Sequence, residues 1–226
     1  MNNLQEIEAK FYVLDLKKIE TRLQNLEARL IQSRILETNI RFDLPDGRLR
    51  SEGRVLRLRQ DTEARLTYKD GGKSDQGVVN RAEIEFTVED FERAKLFLEA
   101  LGYQKLLAYE KYRTTYLLES GSLLPQGQKQ ASGFQICHIM LDELPYGNFV
   151  EIEGENIQTI HNVSEKLGLD RNAAISASYS ALFENVRQTL KLAFTDLTFA
   201  NFEGIKVSPK HLQVRPADAS AGQKRD

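Results

Sequence analysis

The chain has one cysteine, Cys137, so it can form no internal disulfide. Its neighbours Ile136 and His138 make no zinc-ligand spacing, and a small buried apolar residue is the expectation for it. A charge excess is also missing: 31 Lys and Arg face 33 Asp and Glu, for a net charge of -2. That balance argues against a nucleic-acid binder held by phosphate contacts, so no nucleic-acid partner is expected and any basic surface must be local. No apolar run approaches the ~18 residues of a membrane span, and the polar N-terminus lacks a signal-peptide core. No membrane partner and a cytoplasmic location are therefore expected. The Gly71-Gly72 loop does not fit the GxxxxGK pattern of a phosphate loop. What remains is ordinary for a soluble protein: 226 residues, 41% hydrophobic and 28% charged, enough to bury a sizeable core.

Residues 5–13 alternate as a strand does, and Asp15 then reads as the N-cap of an amphipathic helix. Its apolar positions are Leu16, Ile19, Leu23, Leu26 and Leu30. A strand follows over about 34–42, a Leu44-Pro45-Asp46-Gly47 turn, and a hairpin built on Val55–Arg59 and Arg65–Lys69. Residues 82–88 form the next strand, and a helix runs from Asp90 to Leu101 with Gly102 just past its end. Further strands fall near 110–118 and 134–142, around a Gly/Gln/Ser-rich connection expected to be mobile, and at 149–153. One helix ends near Gly168 and a last runs from about 173 to 192. Beyond Pro216 the composition reads as a disordered tail. Eight or so strands, mostly joined as hairpins, with helices outside, predict an α+β fold around a closed, eight-stranded antiparallel β-barrel. The division expected is a domain over 1–192 and a C-terminal extension over 193–226.

What the chain does have is the tripeptide Glu-Ile-Glu three times, at Glu6, Glu83 and Glu151. In a strand, Glu-x-Glu sets two carboxylates side by side on one face. Following that parity gives one charged face: Glu6, Glu8 and Lys10; Arg57 and Arg59; Arg65 and Lys69; Glu83 and Glu85; Lys111 and Arg113; Asp142; Glu151 and Glu153. For a single strand this is an ordinary solvated face. The collection differs, because acidic pairs and basic pairs segregate by strand with almost no Ser, Asn or Gln between them. A closed barrel with this face inside needs ions or ligands to compensate it. Hard oxygen ligands without His or Cys favour Mg²⁺ or Mn²⁺, and arginines suit bidentate contact with phosphate.

The residues also resemble a known family. Glu6-Ile7-Glu8-Ala9-Lys10 fits the ExExK signature of the CYTH superfamily, the triphosphate tunnel metalloenzymes. In order, Val55–Arg59 resembles its Arg-x-Arg strand, Thr67–Lys69 its lysine strand, and Arg81–Glu85 its central acidic strand. Glu110–Arg113 resembles its Lys-x-Arg strand, while Leu141-Asp142 with Gly147–Glu153 resembles its closing acidic hairpin. Ser178-Tyr179-Ser180 is similar to an element of the C-terminal helix. The likeness spans roughly 4–184; the Asp196–Phe199 region has no counterpart with a role. The resemblance implies metal ligation by Glu6, Glu8, Glu151 and Glu153, with Glu85 and Asp142 as secondary ligands. Lys10, Arg57, Arg59, Lys69, Lys111, Arg113 and Tyr179 would bind the phosphates, and Glu6, Glu8 and Lys10 form the catalytic group. Glu83 and His138 are left out, Arg65 is expected at the rim, and Tyr12, Tyr109 and Tyr116 as packing residues.

The activity this implies is metal-dependent hydrolysis of inorganic triphosphate or an organic triphosphate. Class IV adenylate cyclase chemistry, converting ATP to cyclic AMP and pyrophosphate, is the alternative, because the same charges serve both transition states. A non-catalytic polyphosphate- or nucleotide-binding module would keep the cations yet could lose an acidic pair, and this chain keeps them all. A lipocalin-type ligand barrel would need an apolar interior, against the parity. A small-molecule triphosphate is the expected partner, with a homodimer as a candidate assembly.

Overall fold

The computed structural model describes residues 5–119 and 136–219. The connection expected to be mobile therefore lies outside the described residues for nearly all of its length. Eight strands form the wall: β1 (Gln5–Val13), β2 (Arg29–Asp43), β3 (Val55–Gln60), β4 (Ala64–Lys69), β6 (Val78–Val88), β7 (Gln104–Glu119), β8 (Ile136–Leu144) and β9 (Gly147–Gly154). They run in the order β1-β9-β8-β7-β2-β3-β4-β6, every pair antiparallel, and β6 pairs back onto β1 from Gln5↔Ala82 to Ala9↔Val78. The ring is closed, so no interior edge is left unpaired. Two short strands, β5 (Lys73–Asp75) and β10 (Ala174–Ile175), pair beside β6 and β1.

Apolar side chains of alternate residues point outward and are covered by helices. Helix α1 (Leu16–Asn25) buries Ile19 and Leu23, and α4 (Ile157–Lys166) buries Ile160 and Val163, against Phe11, Ile139, Val150 and Ile152. Helix α3 (Phe91–Ala100), with the short α2 (Arg48–Ser51), covers Phe42, Leu56 and Leu58. Burial of side chains of this size stabilises by about 1.5–3 kcal/mol each, which lets the fold carry a charged interior. Helix α5 (Tyr179–Leu190) and the short α6 (Pro209–Leu212) lie over a third cluster containing Tyr12, Tyr146, Phe149 and Phe183. Phe149 there meets Tyr12, Tyr146 and Tyr179 edge-on, with ring centres 5.4, 5.7 and 5.1 Å away.

Caps explain the helix limits. The carboxylate of Asp15 accepts from the N–H groups of Lys17 and Lys18, and Asp90 from that of Arg93, as their residue types predict. Leu30 is not in α1. Glu27 takes a left-handed φ of 57°, ends the helix and turns the chain into β2, where Leu30 pairs with Tyr116. Strand β2 is longer than its alternation indicates because register shifts beside Leu30, Gln32 and Phe42 break the period. The last helix does not begin near 173: Ala174 and Ile175 pair with Phe11 and Lys10, and Ser178 caps a helix starting at Tyr179.

Residues after α5 are also ordered by specific bonds. Strand β8 stops at Leu144, leaving the first half of β7 without a partner on that side. Leu197 fills the gap, donating to the Ala108 carbonyl at 2.8 Å and accepting from the Glu110 N–H at 2.9 Å. The tail expectation needs correcting at its start: Ala217 is buried and donates to the Tyr12 carbonyl, and the Asp218 carboxylate accepts from the N–H groups of Leu14 and Asp15. Those donors sit between a strand and a helix start, where the backbone has no partner of its own. Residues 220–226 lie outside the described residues. Among the described residues no helix is long and apolar enough to cross a membrane.

Candidate active site

The barrel interior is a cavity of about 380 Å³ lined by six carboxylates and eight cations. The carboxylates are Glu6, Glu8, Glu83, Glu85, Glu151 and Glu153; the cations are Lys10, Arg41, Arg57, Arg59, Lys69, Arg81, Lys111 and Arg113. Tyr109, Tyr179 and the serines 176, 178 and 180 complete most of the polar lining. Strand register sets the pairs directly opposite each other. Lys10 faces Glu151, Glu6 faces Arg81, and Lys69 faces Glu83, but Glu8 faces Glu153. Like charges directly opposite destabilise a sheet.

One wall is cationic and braced. Arg113 donates from Nε to Asp142 at 2.7 Å and also bonds Glu151, while Lys111 lies 3.0 Å from Asp142 and 3.4 Å from Glu37. The Tyr179 hydroxyl donates to the same Asp142 at 2.8 Å, and Lys10 sits 4.4 Å above its ring. Burial would raise the Glu37 carboxyl, but Lys111, Arg113, Arg59 and Arg57 outweigh it and hold it at about 2. Glu37 and Asp142 do not line the cavity. They sit behind the cations and fix where these point. Arg57 and Arg59 reach Glu85 at 3.5 and 3.0 Å, and Glu85 also accepts from Thr67 at 2.7 Å.

The other wall is acidic and under-compensated. Glu6 accepts from Lys69 at 2.5 Å and Arg81 at 2.8 Å, and Glu8 from Arg81 at 2.7 Å. Those cations overcome desolvation and bring Glu6 down to about 2. Glu153 goes the other way. Desolvation, then the charges of Glu6, Glu8 and Glu83 against the relief from Lys69, push its carboxyl up to about 7. Glu83 is likewise raised, by burial and by Glu6. Among the described residues no three Asp, Glu, His or Cys side chains converge as a ready-made metal cage. The donor chemistry nevertheless fits a hard divalent cation, because the shared negative charge around Glu8 and Glu153 is what such an ion neutralises.

Of the sequence-derived residues, Glu6, Glu8, Lys10, Arg57, Arg59, Lys69, Glu85, Lys111, Arg113, Glu151, Glu153 and Tyr179 meet at this cavity. Asp142 does not reach it: the side chain is fully buried and its oxygens are taken by Lys111, Arg113 and Tyr179. Arg65 is outside, bonded to Asp61 and Glu63. His138 is absent from the lining as well. Tyr109 is more than packing: it lines the cavity and its hydroxyl lies 3.4 Å from Arg57. Glu83 and Arg81 both line it, as strand parity with Glu85 would have shown for each. The residues missed altogether are on β2, where Glu37, Asn39 and Arg41 alternate with Leu36, Thr38 and Ile40. Asn39 is fully buried, and neither of its side-chain polar atoms has a hydrogen-bond partner among the described residues.

The match to known proteins follows this geometry. The family described as CYTH domain matches residues 4–179, and the chain belongs to it. A Vibrio parahaemolyticus protein described as a candidate adenylate cyclase superposes with a TM-score of 0.62 at 18% identity, covering 79% of this chain and 97% of that one. HpAC1 from Hippeastrum, described as a candidate adenylyl cyclase with a dominant triphosphatase activity, gives 0.52 at 18% identity over 93% and 100%. The PH1819 protein from Pyrococcus horikoshii OT3 gives 0.55 at 24% identity over 77% and 95%. At these identities the likeness is one of fold. No curated protein matches the chain.

Proposed function

We propose that this chain is a divalent-metal-dependent enzyme that hydrolyses a triphosphate held inside the barrel. The observation that carries this reading is the sorting of charge in a closed interior: a braced cationic wall faces carboxylates that lack enough positive charge. Lys10, Arg57, Arg59, Lys69, Lys111 and Arg113 bind the phosphate oxygens, and Tyr179 orients Lys10 and Asp142. The ion pairs of Arg57, Arg59, Lys111 and Arg113 with Glu37, Asp142 and Glu85, and of Lys10 with Glu151, mean that little reorganisation accompanies binding, so these cations meet charge as it develops.

Glu6, Glu8 and Glu153 would hold the metal, with Glu83 beside them; oxygen-only donors favour Mg²⁺ or Mn²⁺. When bound, that ion neutralises phosphate charge and acidifies a water molecule. Glu151 and Glu85, also expected as ligands, pair with Lys10 and Arg113 and with Arg57 and Arg59 on the cationic wall, and we assign them to positioning those cations. Water adds to the terminal phosphorus as the bridging bond breaks, leaving orthophosphate and the shortened phosphate. Adenylate cyclase chemistry shares every one of these contacts. The dominant triphosphatase activity ascribed to HpAC1 supports hydrolysis over cyclisation. A cytoplasmic setting, a homodimer and the lack of a nucleic-acid partner belong to the same proposal.

Product analysis tests it. The purified chain is incubated with inorganic triphosphate and separately with ATP, in Mg²⁺ or Mn²⁺. Orthophosphate is the expected product, cyclic AMP with pyrophosphate would replace the assignment by a cyclase, and binding without any product would reduce it to a binding module.

A further inference from the structure

A second cavity, of about 810 Å³, adjoins the tunnel and shares Arg41, Val55, Val79, Arg81, Ser178 and Ser180 with it. Its charge is one-sided: Arg41, Arg50, Arg54, Lys73, Arg81 and Arg187 line it against the single carboxylate of Glu184. Arg54, Arg81 and Arg187 already have carboxylate partners in Glu52, Glu6 and Glu184. Arg41, Arg50 and Lys73 form no ion pair among the described residues.

Arg50 and Lys73 are exposed, where water solvates a cation at little cost. Arg41 is different. It is only 8% exposed, and among the described residues its guanidinium bonds no acid but the Ser180 hydroxyl at 2.5 Å, while its Nε has no hydrogen-bond partner. Asp43, two residues further along the strand, is occupied by the N–H groups of Leu44, Leu49 and Arg50. Desolvation and the like charges of Arg57 and Arg81 lower its pKa below the usual arginine value. A buried guanidinium without a counter-ion is costly, and an anion brought to it would remove that cost.

We propose that Arg41, with Ser178 and Ser180, is a binding site for a fourth phosphate, so that linear tetraphosphate and longer polyphosphates are ligands of this chain. The inference rests on the triphosphate reading of the tunnel, which supplies the first three phosphates. The phosphate could belong to an inorganic chain or to a nucleoside tetraphosphate. A charge-assisted bidentate contact is worth about tenfold in affinity or more.

Isothermal titration of the full chain decides it, with inorganic triphosphate, inorganic tetraphosphate, ATP and adenosine 5′-tetraphosphate, and Ca²⁺ in place of the reactive ion. Tetraphosphate should bind about tenfold more tightly than triphosphate, and Arg41→Gln should bring that ratio to about one. Arg41→Lys, which keeps the charge and guards against a folding defect, should keep part of the ratio. An equal preference for adenosine tetraphosphate over ATP would extend the site to nucleotides, and its absence would confine the site to inorganic chains. Three results would overturn the inference: no tetraphosphate preference in the wild-type chain, a preference that survives in Arg41→Gln, or an ATP affinity that falls with Arg41→Gln as much as the tetraphosphate affinity. Failure of triphosphate itself to bind would instead overturn the tunnel reading, and this site with it.

Discussion

The two walls of the tunnel carry similar numbers of charges and are built on opposite principles. On the β7 side, Lys111 and Arg113 rest on Glu37 and Asp142, which are 2% and 0% exposed and do not reach the cavity. Each cation is neutralised from behind and presents donors forward. On the β1–β9 side, Glu8 and Glu153 stand directly opposite each other; Arg81 is shared between Glu8 and Glu6, and Glu153 holds its proton up to about 7. One wall is balanced within the protein, whereas the other leaves Glu153 short of positive charge. Compensation, more than the count of charges, separates a structural ion pair from a binding site.

The comparison breaks most sharply when the acidic wall is removed. Replacing both Glu6 and Glu8 by Ala should lower metal-dependent turnover by a factor on the order of 10³ or more while circular dichroism shows the fold retained. Unchanged turnover would take the metal away from this wall. Breaking the brace behind the cationic wall should act on stability: Asp142→Ala leaves Lys111 and Arg113 buried with a carboxylate missing, at a cost of about 3–5 kcal/mol in denaturant unfolding. A loss below about 1 kcal/mol would show that Asp142 is not the anchor described here. Arg57→Ala removes one forward-facing donor, and triphosphate affinity should fall by roughly tenfold to a hundredfold, read as KM or Kd.

The smallest effect concerns pH in metal-free protein. The Glu153 carboxyl is raised when folded, so its stabilising contribution is present below the unfolded value near 4.5 and is lost as pH rises through about 7. The melting temperature should therefore decline between pH 5 and 8, and Glu153→Gln should flatten that decline. Glu6, held at about 2, works in the opposite direction and only at lower pH, where its contribution is lost as pH falls. A Glu153→Gln profile identical to wild type would remove Glu153 from the under-compensated cluster.

Much of this site is legible in the sequence. Alternation with period two assigns Glu6, Glu8, Lys10, Arg57, Arg59, Lys69, Lys111, Arg113, Glu151 and Glu153 to one face, and all of them meet in the cavity. The helix caps at Asp15 and Asp90 were readable for the same local reason, since a short side chain bonds an N–H two or three residues on. Glu37 and Arg41 alternate regularly on β2 and escaped because a lone charge between apolar residues looks solvated. Asp142 was legible as an inward residue but not as a brace. Its position relative to the cavity depends on Lys111, Arg113 and Tyr179, which come from two other elements.

By itself the sequence determined which residues share a strand face, where the capped helices begin, and that the inward face would be charged, because those are properties of neighbours a few positions apart. Tertiary structure alone decided that β6 closes onto β1, that Leu197 completes β7, and that Glu8 stands directly opposite Glu153. Closure and compensation depend on strand register between segments far apart in the chain. Register shifted by one residue would turn the same charges outward to solvent, where they would be an ordinary surface.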